Sequence, residues 1–217
     1  MFIVIEGVDG SGKQTQSQIL FDKLSLTIKT KKIQFPNYDS NSSALVKMYL
    51  AGEFGSNADD VSPYVASSFY AVDRIASYLK DWKKDLDSGT VIIADRYTTS
   101  NAVHQAGKIK GDERDVFLDW LFDYEYNVLK LPKPDVVIFL DMPPEYGRQL
   151  MENRNNKITG ESEKDIHERD FKYLHNAYNC AIAVAKKYNW NIISCVKEGV
   201  VRSVDDIHKD ILRSIIE

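Results

Sequence analysis

The chain has 217 residues and a formal charge of −4. That is length enough for one domain with a full-sized core, and the charge argues against a general nucleic-acid binder. No apolar run approaches the roughly 18 residues that cross a bilayer, and the first residues read as a core strand rather than a leader, so a cytoplasmic enzyme with no membrane or nucleic-acid partner is expected. The two cysteines, Cys180 and Cys195, lack metal-site spacing and sit among apolar residues, where reduced packing thiols are expected.

The first predicted element is the strand Phe2-Ile-Val-Ile-Glu6, which runs into Gly7-Val8-Asp9-Gly10-Ser11-Gly12-Lys13 and then into helix formers. The spacing G-x-x-x-x-G-K builds a cradle for nucleotide phosphates. Its glycines let the backbone fold back so that successive N–H groups point inward, and the helix that begins near Lys13 adds its positive dipole end. Lys13 supplies a mobile full charge for the outer phosphates. One position departs from the pattern: Gln14 stands where Ser or Thr holds magnesium, with Thr15 one place later. An amide oxygen is a poorer magnesium ligand than a hydroxyl, so metal placement depends more on the phosphates and on nearby carboxylates.

A second strand, Lys32 to Phe35, leads into Phe35-Pro36-Asn37-Tyr38, where Pro36 biases Phe35 to an extended conformation. The longest helix follows, with Ser62 as N-cap, Pro63 in the first turn and Gly89 at its end. Val65, Phe69, Val72, Ala76, Leu79 and Leu86 keep helical spacing and are expected to face other helices or the sheet. Tyr70 and Arg74, four apart, share a neighbouring face. The next strand, Thr90 to Asp95, delivers Asp95-Arg96-Tyr97 to the mouth of the sheet. There Asp95 can order magnesium or its waters, and Arg96 can span two phosphate groups and offset charge during transfer; a plain strand-end ion pair is the alternative.

Asp135 to Asp141 and Asn191 to Cys195 complete five extended runs. Between these two, the polar stretch Arg148 to Arg169 interrupts the helical pattern and is the candidate mobile segment. Ser203 and Asp206 form a capping box before Ile207, Ile211 and Ile215, a final packing helix. Strands separated by helices imply an α/β fold with a parallel sheet and right-handed crossovers, covered on both faces. Ligands bind such sheets beyond the C-terminal strand ends.

The ordered set Glu6-Gly-Val-Asp-Gly-Ser-Gly-Lys13, Phe35-Pro-Asn-Tyr38, Phe69-Tyr-Ala-Val-Asp-Arg74, Asp95-Arg-Tyr-Thr-Thr-Ser-Asn-Ala102 and Leu131-Pro-Lys-Pro-Asp-Val-Val-Ile-Phe-Leu-Asp141 resembles the thymidylate kinase family over nearly the whole chain. The resemblance implies transfer of the γ-phosphoryl group of ATP to dTMP, giving dTDP and ADP, with Mg2+. It also implies one P-loop nucleoside-monophosphate-kinase domain over residues 1–217, a five-stranded parallel sheet in the order 2-3-1-4-5, and a homodimer. ATP would lie on Gly7, Val8, Asp9, Gly10, Ser11, Gly12, Lys13, Gln14 and Thr15. On the acceptor side the resemblance assigns Asp9 to the sugar 3′-hydroxyl, Tyr70 beside Phe69 to stacking on thymine, and Arg74 to its O4. Phe35, Pro36 and Tyr38 form the wall, Arg96 reaches phosphate, and Ser100, Asn101, His104 and Gln105 continue the motif.

His104 departs from the tyrosine often found at that place in the family, where the larger ring crowds a ribose 2′-hydroxyl. The loop arginine that some relatives carry is also missing, since the variable positions are Val8, Asp9, Gly10 and Ser11. Catalytic charge is therefore expected from Lys13 and Arg96 and from a basic lid at about 148–169, with Arg154, Lys157 and Arg148 as candidates. Asp9, Asp95 and Glu168 are the candidate carboxylates for the metal. A kinase for a different nucleotide acceptor and a nucleotide-binding switch stay open as alternatives, the second without an N-K-x-D motif to support it.

Overall fold

The protein is described here from a computed structural model covering residues 1–57, 59–151 and 171–216. Five parallel strands, β1 (Phe2–Glu6), β2 (Thr30–Gln34), β3 (Val91–Asp95), β4 (Val136–Asp141) and β5 (Asn191–Ser194), form one sheet in the order β2-β3-β1-β4-β5. The expected topology is present, with strand ends shifted by a residue or two. β1 and β3 are buried at every position, because helices cover both faces. Side chains alternate across β1: Ile3 and Ile5 pack with Leu20, Ile207 and Ile211, while Phe2 and Val4 pack with Tyr78, Trp82 and Tyr97.

The elements on the first face are α1 (Lys13–Leu24) and α9 (Val204–Ile216). α9 starts as its capping box predicts, with the Asp206 amide donating to Ser203 Oγ at 3.1 Å. Ahead of it, β6 (Val196–Lys197) and β7 (Val200–Val201) form a small antiparallel hairpin. The other face carries α3 (Pro63–Ser77), α5 (Thr98–His104) and α8 (Phe171–Lys187), with α2 (Ala44–Leu50) and α6 (Glu113–Phe122) packed outside. Ser62 caps α3 by accepting from the Val65 amide at 3.3 Å, and Gly89 takes the left-handed φ of 84° expected of a terminator.

The segment between these caps is not one α-helix. A π-helical stretch, Tyr78–Trp82, separates α3 from the short α4 (Lys83–Asp87). The expected inward face is corrected at three positions, Val65, Val72 and Leu79, exposed to 47%, 44% and 64%, while Phe69 and Leu86 pack against buried clusters. Ala66, Ala71, Asp73, Arg74 and Ser77 take the inner face instead, because the small and polar side chains have buried partners there. A second π-helical stretch, Asp123–Val128, extends α6.

Cys180 and Cys195 are buried free thiols, and burial pushes their pKa values up to about 11 and about 12. No described helix is long and apolar enough to cross a membrane.

Candidate active site

The glycine loop connects β1 to α1 at the C-terminal edge of the sheet. Gly10 and Gly12 hold φ values of 80° and 85°, which side-chain-bearing residues adopt at a cost. Gly12 is also the N-cap of α1 and supplies no capping side chain, so the first amides of the helix are left for a ligand. α7 (Pro144–Met151) closes over the loop: a Cβ on Gly147 would stand 2.8 Å from the Asp9 carbonyl oxygen, and one on Gly10 would stand 2.3 Å from that of Gly147.

Lys13 folds back into the loop, donating from Nζ to the Val8 carbonyl at 2.7 Å and lying 3.5 Å from Ser11 Oγ. Burial, and then the nearby Arg96 charge, bring its pKa down to about 8. Gln14 and Thr15 are exposed on the first turn of α1.

Arg96 is the hub of the site. Its Nη1 lies 3.1 Å from His104 Nε2 and 3.2 Å from Ser100 Oγ, with Glu6 Oε1 and the Gly7 carbonyl at 3.4 Å, and its Nη2 is ion-paired with Asp9. Its backbone sits at φ 69°, a conformation that costs about 1–3 kcal/mol and persists where its surroundings over-determine it. Burial works against its charge, but Asp9, Glu6 and Asp95 outweigh that and push its pKa up. Glu6, fully buried, also accepts from the Gly7 amide at 2.9 Å, Thr99 Oγ1 at 2.7 Å and Ser100 Oγ at 2.8 Å. It thereby ties the loop, β3 and α5 into one polar cluster.

Asp95 is buried at the end of β3, and its charge acts on Lys13, Lys32 and Arg96. Its neighbour Asp9 is already engaged by Arg96. Among the described residues no three acidic, histidine or cysteine side chains gather as a protein-only metal cage. Asp95, a buried carboxylate at the strand end, is chemically suited to a Mg2+ ion held otherwise by phosphate oxygens and waters.

The residues expected on the acceptor side form two layers. Tyr38, Phe69 and Tyr70 pack in one cluster with Val46, Tyr49, Leu50 and Val61. The loop carrying Phe35, Pro36 and Tyr38 contains a cis Phe35–Pro36 bond and is anchored by buried Asp73, which accepts from the Asn37 amide at 2.8 Å and from Ser42 Oγ at 2.6 Å. Arg74, one turn beyond Tyr70 on α3, is buried more deeply than Tyr70. It is 1% exposed and donates from Nε and Nη2 to the two carboxylate oxygens of fully buried Glu125, at 2.6 and 2.5 Å. Asn101 donates to the Ser67 carbonyl at 3.4 Å. The amide of Gln105 is buried with no hydrogen-bond partner among the described residues, the condition of a group whose partner arrives with a ligand.

Arg154, Lys157 and Glu168 lie outside the described residues, as does most of the expected lid; Arg148 is on α7. Sequence reasoning missed Glu6, Asp73 and Glu125 as site residues. A carboxylate closing an apolar strand is a visible signal for Glu6, and adjacency to Arg74 is one for Asp73. Glu125 has none, since Asp123-Tyr-Glu-Tyr-Asn127 reads as an exposed helix face.

The family model for thymidylate kinase matches residues 5–211. A thymidylate kinase of Plasmodium falciparum is 26% identical over 99% of this chain and 89% of its own length. One of Mycobacterium tuberculosis is 31% identical over 78% of each chain. Among solved structures, a thymidylate kinase from Candida albicans superposes with a TM-score of 0.73 at 23% identity, covering 99% of this chain and 90% of that one, which is a likeness of fold. With a family model spanning almost all of the sequence and the glycine loop, Asp95-Arg96 and the five-stranded order in place, the chain belongs to the thymidylate kinase family.

Proposed function

We infer that this chain carries out its family's reaction, transfer of the γ-phosphoryl group of ATP to dTMP, over the glycine loop. One observation supports this site above the rest: two cations meet on the glycine loop, buried Lys13 donating to the Val8 carbonyl at 2.7 Å and half-buried Arg96 lying 3.4 Å from the Gly7 carbonyl, and the Arg96 charge adds to burial in lowering the Lys13 pKa. Asp9, Glu6 and Asp95 offset part of the repulsion between them, and a polyanion bound to both cations would offset the rest. Two nucleotide phosphate chains meeting end to end provide that polyanion.

In this reading ATP lies along Gly7 to Thr15, with Lys13 swinging from the Val8 carbonyl to the outer phosphates. Arg96 binds the acceptor phosphate and offsets charge on the equatorial oxygens. Asp9 receives the sugar 3′-hydroxyl, Tyr70 stacks on thymine, and Arg74 donates to O4. Phe35, Pro36, Tyr38 and Phe69 wall the base, while Ser100, Asn101, His104 and Gln105 complete the acceptor side. Mg2+ held through Asp95, phosphate oxygens and water would screen the charge that develops on the β- and γ-phosphates. Glu168 is kept as a further acidic candidate. Since no arginine occupies the loop, Arg154, Lys157 and Arg148 of the 148–169 segment are assigned the remaining catalytic charge, and closure there would exclude water.

We also propose a cytoplasmic homodimer. Its support is the stripe of Val65, Val72 and Leu79, spaced by seven along α3 and into the π-helical stretch that follows it, and exposed, which is a face available to a second copy. Steady-state assay of ADP release with ATP and a panel of dTMP, dUMP, dCMP, dGMP and thymidine tests the activity. Brisk turnover of dTMP is expected; negligible turnover beside fast use of another acceptor would overturn it.

A further inference from the structure

Arg74 and Glu125 form a two-pronged ion pair at 1% and 0% side-chain exposure. Burying such a pair is costly, and a well-packed apolar pair of the same volume is often as stable or more so, so packing stability alone does not account for it. The pair's surroundings are built to fix it. Thr98 Oγ1 donates to Glu125 Oε2 at 2.7 Å, and the Leu131 amide donates to the Glu125 carbonyl at 3.0 Å. Glu125 lies in the π-helical stretch Asp123–Val128, and Arg74 lies four residues ahead of the other such stretch, Tyr78–Trp82. π-helical turns inside helices recur at functional sites.

The geometry also sets which edge of the guanidinium is presented. Glu125 takes Nε and Nη2, and Nη1 lies 3.4 Å from the Tyr97 carbonyl. That carbonyl belongs to the residue after Arg96, so this edge lies at the C-terminal end of β3, where ligands bind in such sheets. A guanidinium has only donors. Held in one orientation, it accepts a base that offers a carbonyl oxygen and opposes one that offers an amino group.

We propose that Glu125, itself held by Thr98, is the positioning residue that fixes the Arg74 guanidinium for reading the acceptor base. The proposal rests on the reading of Arg74 as the thymine O4 donor. Glu125 touches neither nucleotide; it acts by denying Arg74 other rotamers and by keeping two of its donors occupied.

The test compares kcat/KM for dTMP and for dCMP in the wild type, Glu125→Gln, Thr98→Val and Arg74→Ala, with thermal unfolding recorded for each. Glu125→Gln keeps the volume and loses the charge; it is expected to raise the dTMP KM with the ATP KM unchanged. The dTMP-over-dCMP ratio should narrow by about 10-fold or more, the scale of one misplaced charged hydrogen bond. Thr98→Val is expected to narrow it by about 3-fold, and it decides the matter should Glu125→Gln not fold. A lowered melting temperature with an unchanged ratio in both variants would leave Glu125 a structural residue and overturn the proposal. Arg74→Ala separates the two failures. If it narrows the ratio while Glu125→Gln and Thr98→Val do not, only the positioning role is lost; if it leaves the ratio unchanged, the base-reading role of Arg74 falls and this proposal falls with it.

Discussion

Arg96 Nη1 and His104 Nε2 meet at 3.1 Å, and because a guanidinium has only donors, the imidazole nitrogen facing it must be an acceptor. The imidazole is therefore one of the acceptors around the Arg96 guanidinium, beside Glu6, Asp9 and Ser100. Replacing it with a ring that lacks an acceptor, His104→Phe, is expected to lower kcat/KM for dTMP by about 3- to 10-fold, one charged hydrogen bond shared among several. Steady-state kinetics with dTMP varied checks this, and an unchanged value would mean that Asp9, Glu6 and Ser100 position Arg96 alone.

The lowered pKa of Lys13, about 8, makes ATP binding depend on pH. Phosphate favours the protonated amine, so below that value binding requires no proton. Above it the free enzyme must take one up, and apparent affinity weakens by up to about tenfold per pH unit. Lys13→Arg stays charged throughout and is expected to bind ATP more weakly but with a flat profile over the same range. Calorimetric titration at pH 7 and 9.5 distinguishes them. Parallel slopes for wild type and variant would assign the titration to another group.

Much of this could be read before any coordinates. A glycine loop needs a strand before it and a helix after it, and periodicity reveals both; five extended runs separated by helices leave little choice but a parallel sheet. What stayed hidden was direction across a helix. Val65, Val72 and Leu79 have the spacing of a core face, yet Asp73 and Arg74 take the inside because Asn37, Ser42 and Glu125 are waiting there. Those partners come from residues 31 to 51 positions away in the chain, and no local pattern encodes such a meeting. Arg96 was legible as a charge at a strand end, but its link to His104 depends on the turn between β3 and α5.

His208 of α9 provides an acid-sensitive tie to α1. Gln16 donates from Nε2 to the Val204 carbonyl at 2.9 Å, so its Oε1 accepts from His208 Nδ1 at 3.1 Å. That leaves Nε2 as a buried lone pair with no donor among the described residues. Protonating it would bury an N–H with no acceptor; burial, and then Lys23, lower its pKa. The unfolded chain therefore binds the proton first. The stabilisation is whole above about pH 6.5, the unperturbed histidine value, and declines as pH falls below it. Thermal melts from pH 7.5 to 5 are expected to drop more steeply for the wild type than for His208→Leu, and equal slopes would remove His208 from the acid response.

If the α3 stripe joins two copies, a charge at its centre should part them without unfolding either. Val72 is 44% exposed in one chain, so Val72→Glu costs the isolated fold little. In a dimer it would face its own symmetry mate, a carboxylate desolvated without a partner. Dimer association is expected to weaken by at least about tenfold, or 1.4 kcal/mol, by sedimentation velocity, with an unchanged melting profile at low concentration. A dimer of wild-type affinity would move the contact to another surface.

The closest backbone approach at the site lies between α7 and the glycine loop, and it makes Gly147 a sensitive position. A methyl group there would stand 2.8 Å from the Asp9 carbonyl oxygen, and neither backbone can yield without moving the loop or the helix. Overpacking of this kind costs about 1–3 kcal/mol, taken from the segment that holds the phosphate amides. Gly147→Ala is accordingly expected to weaken ATP binding by about 5- to 100-fold. Calorimetric titration with ATP would show this, alongside a lowered melting temperature. The reverse pattern, a lower melting temperature with ATP affinity intact, would mean that α7 gives way while the loop keeps its shape.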